Sequence, residues 1–229
     1  MVATAGERAG NPHARSSSGR DTGESTLGFE RVVFFSDAVF AIVITLLVLP
    51  LTAEVELPEG EGALASRVLT LWPTALTFAV SFLVVGQFWI AHHRTFGLLV
   101  RHDDGLIWFN LVTLLTVAFM PFPAALLGSQ STDESVFPVV FFAASMTVAS
   151  AALTATWLYA VRRDLTAPTL ASAEARQITV RAVTTTTVFA VSIVAALLGL
   201  LVAVAFWLGV LPIARLLVRQ RRRGSSLAI

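Results

Sequence analysis

The sequence contains no cysteine and no lysine, and only 14% of its 229 residues are charged. The absence of cysteine excludes disulfides, thiolate metal sites and a cysteine nucleophile. A soluble domain carries about 25% charged residues. Here 55% of the residues are hydrophobic, and they gather in runs near the roughly 20 residues that a helix needs to cross a bilayer. The composition therefore predicts an all-α membrane protein.

Six apolar runs are long enough to cross a membrane. They are residues 32–52, 68–90, 105–127, 136–160, 178–197 and 200–218. The last two adjoin each other, and a single helix over both would be about 60 Å long, twice the thickness of the hydrocarbon core. A hairpin that turns near Gly199 is therefore favoured. We expect six transmembrane helices that form one bundle per subunit.

The distribution of arginine predicts the orientation of the chain, because short cytoplasmic segments are enriched in basic residues. With six spans and a cytoplasmic N-terminus, only one of the sixteen arginines, Arg67, lies in an external loop. Five spans would instead place the cluster Arg221–Arg223 outside. We therefore expect both termini in the cytoplasm.

The ends of the chain differ in composition from the apolar runs. Residues 1–28 are rich in Gly, Ser, Thr and charged side chains and have little to bury, which is typical of disorder. We expect a disordered cytoplasmic tail over 1–28, a six-helix transmembrane domain over 29–220, and a basic cytoplasmic tail over 221–229.

Asp37 lies five residues inside the first apolar run. An ionisable group at that depth costs a few kcal/mol unless it is partnered, and it is a candidate functional residue. Helical rise places several polar side chains of the second and third runs at a similar depth. The predicted cluster therefore comprises Ser36, Asp37, Trp89, one of His92 and His93, and Asn110. It would lock three helices together, take part in gating, or relay protons.

Other chemistry finds no support in the sequence. His92 and His93 are adjacent and point to different sides of a helix, which is poor spacing for a shared metal ion. The patterns H-E-x-x-H, G-x-S-x-G and the P-loop are absent. We therefore expect that the protein is not an enzyme and that it binds no metal, no cofactor and no nucleic acid.

The first run opens with Arg31-x-x-x-Phe35-Ser36-Asp37 and continues AVFAIVITLLVLPL. Together with FWIAHHRTF in the second run and WFNLVTLLTVAFMPFPAALLG in the third, it closely resembles the transmembrane protein 175 family of potassium channels. The resemblance covers roughly the first 130 residues, and the later runs match only in length and hydropathy. Prokaryotic members of the family are short chains with one six-helix unit.

The resemblance implies a homotetramer in the plasma membrane, surrounded by lipid, whose four first helices enclose a pore for potassium ions. It implies a constriction of apolar side chains, and the sequence indeed has no T-V-G-Y-G filter. Carried onto this chain, the narrowest ring is Ile42, followed by Thr45 and Leu49. Their spacing of i, i+3 and i+7 places them on one helical stripe.

The resemblance also bears on the polar cluster and on the bounds of the channel domain. The family signature adds Arg31 and Phe35 to it as structural residues. Residues 29–220 would then be the channel domain. The alternatives are a proton-coupled secondary transporter in which Asp37 titrates, and a membrane interaction protein in which the cluster is purely structural.

Overall fold

A computed structural model of the chain describes residues 14–53, 70–129, 135–198 and 202–203, with side chains from Leu27 onward. These segments fold as α-helices, joined at one place by an isolated antiparallel bridge between Leu99 and Thr166. The helices are α1 (Ala14–Leu46), α2 (Leu49–Ala53), α3 (Trp72–Phe96), α4 (Asp104–Ala118), α5 (Pro121–Gly128), α6 (Phe137–Arg162) and α7 (Ser172–Ala196).

Five helical segments within the described residues are long and apolar enough to cross a membrane. They are Leu27–Thr52, Trp72–Phe96, Asp104–Gly128, Phe137–Arg162 and Ser172–Ala196. These segments overlap the first five predicted runs, and the all-helical membrane fold is confirmed for this part of the chain. Apart from Val202 and Ala203, the sixth predicted span lies outside the described residues. The count of six and the orientation of the termini stay predictions.

Helix α1 begins at Ala14, so residues 14–28 of the predicted tail are helical in the structure. The division into a tail and a channel domain stays a prediction. Extending a helix costs little once a stable segment has nucleated it, and the adjoining apolar span provides that segment. No proline interrupts the chain between Pro12 and Pro50. Residues 1–13 and 221–229, the rest of the predicted tails, lie outside the described residues.

Prolines divide two of the spans. A proline ring clashes with the carbonyl four residues earlier, which ends a helix. Pro50 accordingly follows the end of α1 at Leu46, and α2 continues the span. Pro121 follows the end of α4 at Ala118, and α5 continues that span in the same way.

The core lies between α1, α3, α4, α5, α6 and α7, the last contributing Phe189 and Ala196. The first span, Leu27–Thr52, contributes Phe40 and Val43 from α1 and Leu47 just after its end, each at most 2% exposed. Because these residues are spaced i, i+3 and i+7, they occupy one face of the helix. The opposite face of α1 is therefore turned away from its own subunit.

Candidate pore-lining surface and polar cluster

The outward face of the first span, Leu27–Thr52, carries the three residues of the predicted stripe, with Ile42 and Thr45 on α1 and Leu49 at the start of α2. Ile42 is 58% exposed and Leu49 is 54% exposed. Thr45 lies exposed between them. A soluble subunit would not leave such apolar side chains uncovered along a helix, so this face meets lipid, another subunit or a pore.

The hydroxyl of Thr45 has a defined direction. It donates its proton to the carbonyl oxygen of Ile42 over 2.8 Å. A hydroxyl has one donor and two acceptor lone pairs. Since the backbone takes the proton, the lone pairs of Thr45 Oγ1 stay free to accept. The exposed oxygen is thus suited to contact a cation.

A buried chain of hydrogen bonds ties α1 to α3 and α4. His92 Nε2 meets Asn110 Oδ1 at 2.8 Å. Asn110 Nδ2 donates to Ser36 Oγ at 2.9 Å, and Ser36 Oγ donates to the Val32 carbonyl at 2.8 Å. All three side chains are at most 1% exposed. Because Asn110 Oδ1 can only accept, His92 donates from Nε2.

Asp37 belongs to a separate contact. Its Oδ1 accepts a hydrogen bond from Trp89 Nε1 at 2.9 Å. The Trp89 ring is 36% exposed and lies beside the exposed ring of His93, with 5.6 Å between centroids. The predicted cluster is therefore two neighbouring contacts. A buried one contains His92, and a half-exposed one contains Asp37.

Arg31 and Phe35 do not join either contact within the subunit. Phe35 is 54% exposed, and Arg31 is also exposed. Both lie on the part of α1 that leads to the stripe. In the described part of the chain, neither side chain bonds to Ser36, Asn110 or His92, and their structural role stays a prediction.

A column of aromatic rings runs beside the buried contact, and the sequence reading missed it. In order, the rings belong to His102, Phe29, Phe96, His92 and Phe40. Phe96 and His92 stack most closely, with centroids 4.2 Å apart. Only the spacing of Phe96 and His92, four positions apart on one helix, was visible in the sequence.

A second polar contact lies where α4 begins. Asp103 caps α4 by accepting from the Leu106 amide at 2.8 Å, and it also accepts from the Tyr159 hydroxyl at 3.0 Å. Burial by itself would raise the pKa of Asp103. The hydrogen bonds from Leu106 and Tyr159 and the positive charge of Arg163 together outweigh burial, so this pKa lies below its usual value.

The described residues contain no group of three His, Cys, Asp or Glu side chains that could hold a metal ion. The polar groups that are present instead form short, directed hydrogen-bond chains between helices.

Comparison with known proteins points in one direction. Residues 31–121 match the family described as the endosomal/lysosomal potassium channel TMEM175. The chain is 37% identical over 134 residues to a potassium channel of Streptomyces collinus, across 58% of this chain and 64% of that protein. It is 43% identical over 102 residues to a potassium channel of Chamaesiphon minutus, across 43% of this chain and 48% of that protein.

The matched stretch thus spans between about half and two thirds of these relatives' own length. The fold is similar to the crystal structure of a lysosomal potassium-selective channel TMEM175 homolog from Chamaesiphon minutus, with a TM-score of 0.69 and 27% identity. That likeness covers 85% of this chain and 97% of the other. The outward stripe and both polar contacts of α1 lie inside the matched stretch 31–121.

Proposed function

We propose that this chain is a member of the TMEM175 family, whose model matches residues 31–121, and that it is a potassium-selective channel with a pore lined by α1. One observation carries the proposal. The stripe of Ile42, Thr45 and Leu49 is uncovered in the subunit, while the opposite face of the same span is buried in the core. An uncovered stripe that includes the Thr45 hydroxyl, whose oxygen can coordinate a cation, suits a pore lining better than a lipid-facing surface.

The pore requires more than one subunit, because a single helix cannot enclose a path for ions. We propose a homotetramer in the plasma membrane in which four α1 helices surround the central axis. Residues 29–220 would form the channel domain, with both termini in the cytoplasm and lipid around the outer helices. The exposure of Ile42 and Leu49 supports this assembly, since association about α1 would cover these side chains.

Selectivity would arise at the ring of four Ile42 side chains. An apolar constriction makes an ion shed part of its water, because the side chains offer no replacement ligands. Potassium holds its water less tightly than sodium, so it crosses such a barrier at lower cost. One turn further along, Thr45 offers the hydroxyl oxygen whose proton is engaged by Ile42. Four such oxygens would stabilise the partly dehydrated ion.

The buried contact would hold the pore helix in the correct rotation. Ser36 and Asn110 connect α1 to α4, and His92 connects α4 to α3. A helix turned by one residue moves its side chains by about 100°. Such a turn would replace Ile42 at the axis by Val43, which is now 2% exposed in the core. No catalytic group is needed for any of these steps.

Purified protein in liposomes tests the proposal. Protein-containing vesicles loaded with potassium chloride should release potassium faster than protein-free vesicles loaded in the same way. Protein-containing vesicles loaded with sodium chloride should release sodium more slowly than the first set releases potassium. The proposal fails if the reconstituted, tetrameric protein passes neither ion above the control. It also fails if potassium and sodium pass at the same rate.

A further inference from the structure

Two loops are clasped together at the end of the bundle where α4 begins. The backbone amide of Val100 donates to the carbonyl of Leu165 at 3.0 Å, and the amide of Ala167 donates to the carbonyl of Leu98 at 2.9 Å. Arg101 adds a bond from Nη2 to the Asp164 carbonyl at 2.7 Å. These contacts bring the C-terminal end of α6 next to the N-terminal end of α4.

At that junction Tyr159 of α6 contacts the residue that caps the first turn of α4. Its hydroxyl donates to Asp103 Oδ2 at 3.0 Å. The other oxygen, Asp103 Oδ1, caps α4 through the Leu106 amide. Arg163 also approaches Asp103, but at 3.5 Å and with a side chain that is 63% exposed. Tyr159 is therefore the closer and better-shielded partner of the capping carboxylate.

Gly105 leaves room for this contact. A Cβ atom at position 105 would overlap the Tyr159 hydroxyl and lie 2.6 Å from Cζ of the ring. Real Cβ contacts are not that short, so any other residue would push Tyr159 away from Asp103. The packing of Tyr159 against Phe109, with centroids 4.7 Å apart, further limits where the ring can move.

Helix α4 also carries Asn110, the residue that bonds to α1, the helix proposed to line the pore. Asn110 lies on α4 after its capped first turn, and it donates to Ser36 on α1. We infer that Tyr159 is a positioning residue for the pore, because it sets the position of α4 and α4 sets the position of α1. This inference rests on the proposed channel function. The hydrogen bonds of Tyr159 itself lie outside α1.

Hydrogen–deuterium exchange on the purified full chain tests the coupling without relying on ion flux. Tyr159→Phe removes only the hydroxyl. It should speed exchange about two- to tenfold in the first turn of α4, as expected for one lost hydrogen bond. It should also speed exchange in α1 around Ser36. Gly105→Ala should do the same by displacing the ring, and Tyr159→Phe still decides the matter if that variant does not fold.

Two controls separate coupling from general loosening. Arg163→Gln removes the longer, exposed contact with Asp103 and the approach of the guanidinium to the Tyr159 ring, 6.0 Å from its centroid. It keeps the Tyr159–Asp103 hydrogen bond and should leave α1 exchange unchanged. Ser36→Ala cuts the last bond of the path, so adding Tyr159→Phe to it should produce no further change in α1. The inference is overturned if Tyr159→Phe acts on α4 alone. It is also overturned if Arg163→Gln affects α1 as strongly, or if the Ser36→Ala and Tyr159→Phe effects simply add.

Ion flux then links the coupling to the pore. Tyr159→Phe should lower the potassium-to-sodium flux ratio of reconstituted protein, and Arg163→Gln should not. A wild-type protein that passes no potassium defeats the proposed function, while the exchange data still decide the role of Tyr159. A normal wild-type ratio that Tyr159→Phe leaves unmoved defeats the inference and leaves the channel intact.

Discussion

Asn110 donates from Nδ2 to Ser36 Oγ at 2.9 Å, and this buried bond fixes α1 against α4. Asn110 also accepts from His92, so one amide joins three helices. Both bonds lie out of reach of solvent. This one side chain of α4 therefore adds to the core packing that holds α1 and its outward stripe in place.

Asn110→Ala should destabilise the protein, because it leaves His92 Nε2 without its acceptor and Ser36 without its donor. Unsatisfied buried groups of this kind cost about 1–3 kcal/mol. Equilibrium unfolding in detergent micelles measures the loss. Leu115→Ala on the same helix is a suitable control, since its side chain is 70% exposed in the subunit. Equal losses for the two variants would show that the amide bonds contribute nothing.

Asp37 should tolerate loss of its charge better than loss of its oxygen. Asp37→Asn keeps an acceptor for Trp89 Nε1, so its unfolding free energy should stay near that of the wild type. Asp37→Ala removes the acceptor and should cost about 1 kcal/mol, less than Asn110→Ala, because the contact is only half-buried. Potassium flux should persist in Asp37→Asn. Complete loss of flux in that variant would mean that the charge itself is essential.

The Asp103 cap of α4 should make the stability of the protein depend on pH. The pKa of Asp103 is lowered in the folded protein, so its contribution is present above the unfolded pKa and is lost as pH falls through the folded pKa. Asp103→Asn should therefore melt lower than the wild type at neutral pH. The difference should shrink once the pH falls below about 4. A difference that stays constant down to pH 2 would contradict this assignment.

The arginine distribution predicts the topology of the whole chain. Reporter tags at Gly6 and at Ser225 should both be cytoplasmic, and a tag at Glu59 should be external. Protease protection or tag-specific labelling in intact cells measures this. Termini on opposite sides of the membrane would rule out six spans.

Hydropathy and helical rise predicted much of what the described residues show. Length and polarity located the five spans, and depth brought Ser36, Trp89 and Asn110 to one level. The depth of a residue in the membrane does not determine how its helix is rotated about its axis, however. Whether Asp37 or Ser36 meets Asn110 depends on how α1 turns against α4, and that follows from packing by residues such as Phe40.

Other features depend on distant parts of the chain. Asp103 and Tyr159 are 56 positions apart, and no local pattern pairs them. The choice between His92 and His93 likewise depends on which side of α3 faces the core. The helical extension of α1 to Ala14 was missed because composition describes how much a segment can bury, whereas helix propagation depends on the segment beside it.

The pore assignment is tested most directly by the ratio of potassium to sodium flux in liposomes for Ile42→Asn and Val43→Ala. The two residues are neighbours on α1, one 58% exposed and the other 2% exposed. Ile42→Asn should raise total flux and lower the ratio, because polar groups lower the dehydration barrier. Thr45→Val should reduce potassium flux by removing the hydroxyl oxygens. Val43→Ala should reduce stability by about 1–2 kcal/mol and leave the ratio unchanged. A ratio that is unmoved in Ile42→Asn but altered in Val43→Ala would contradict the account.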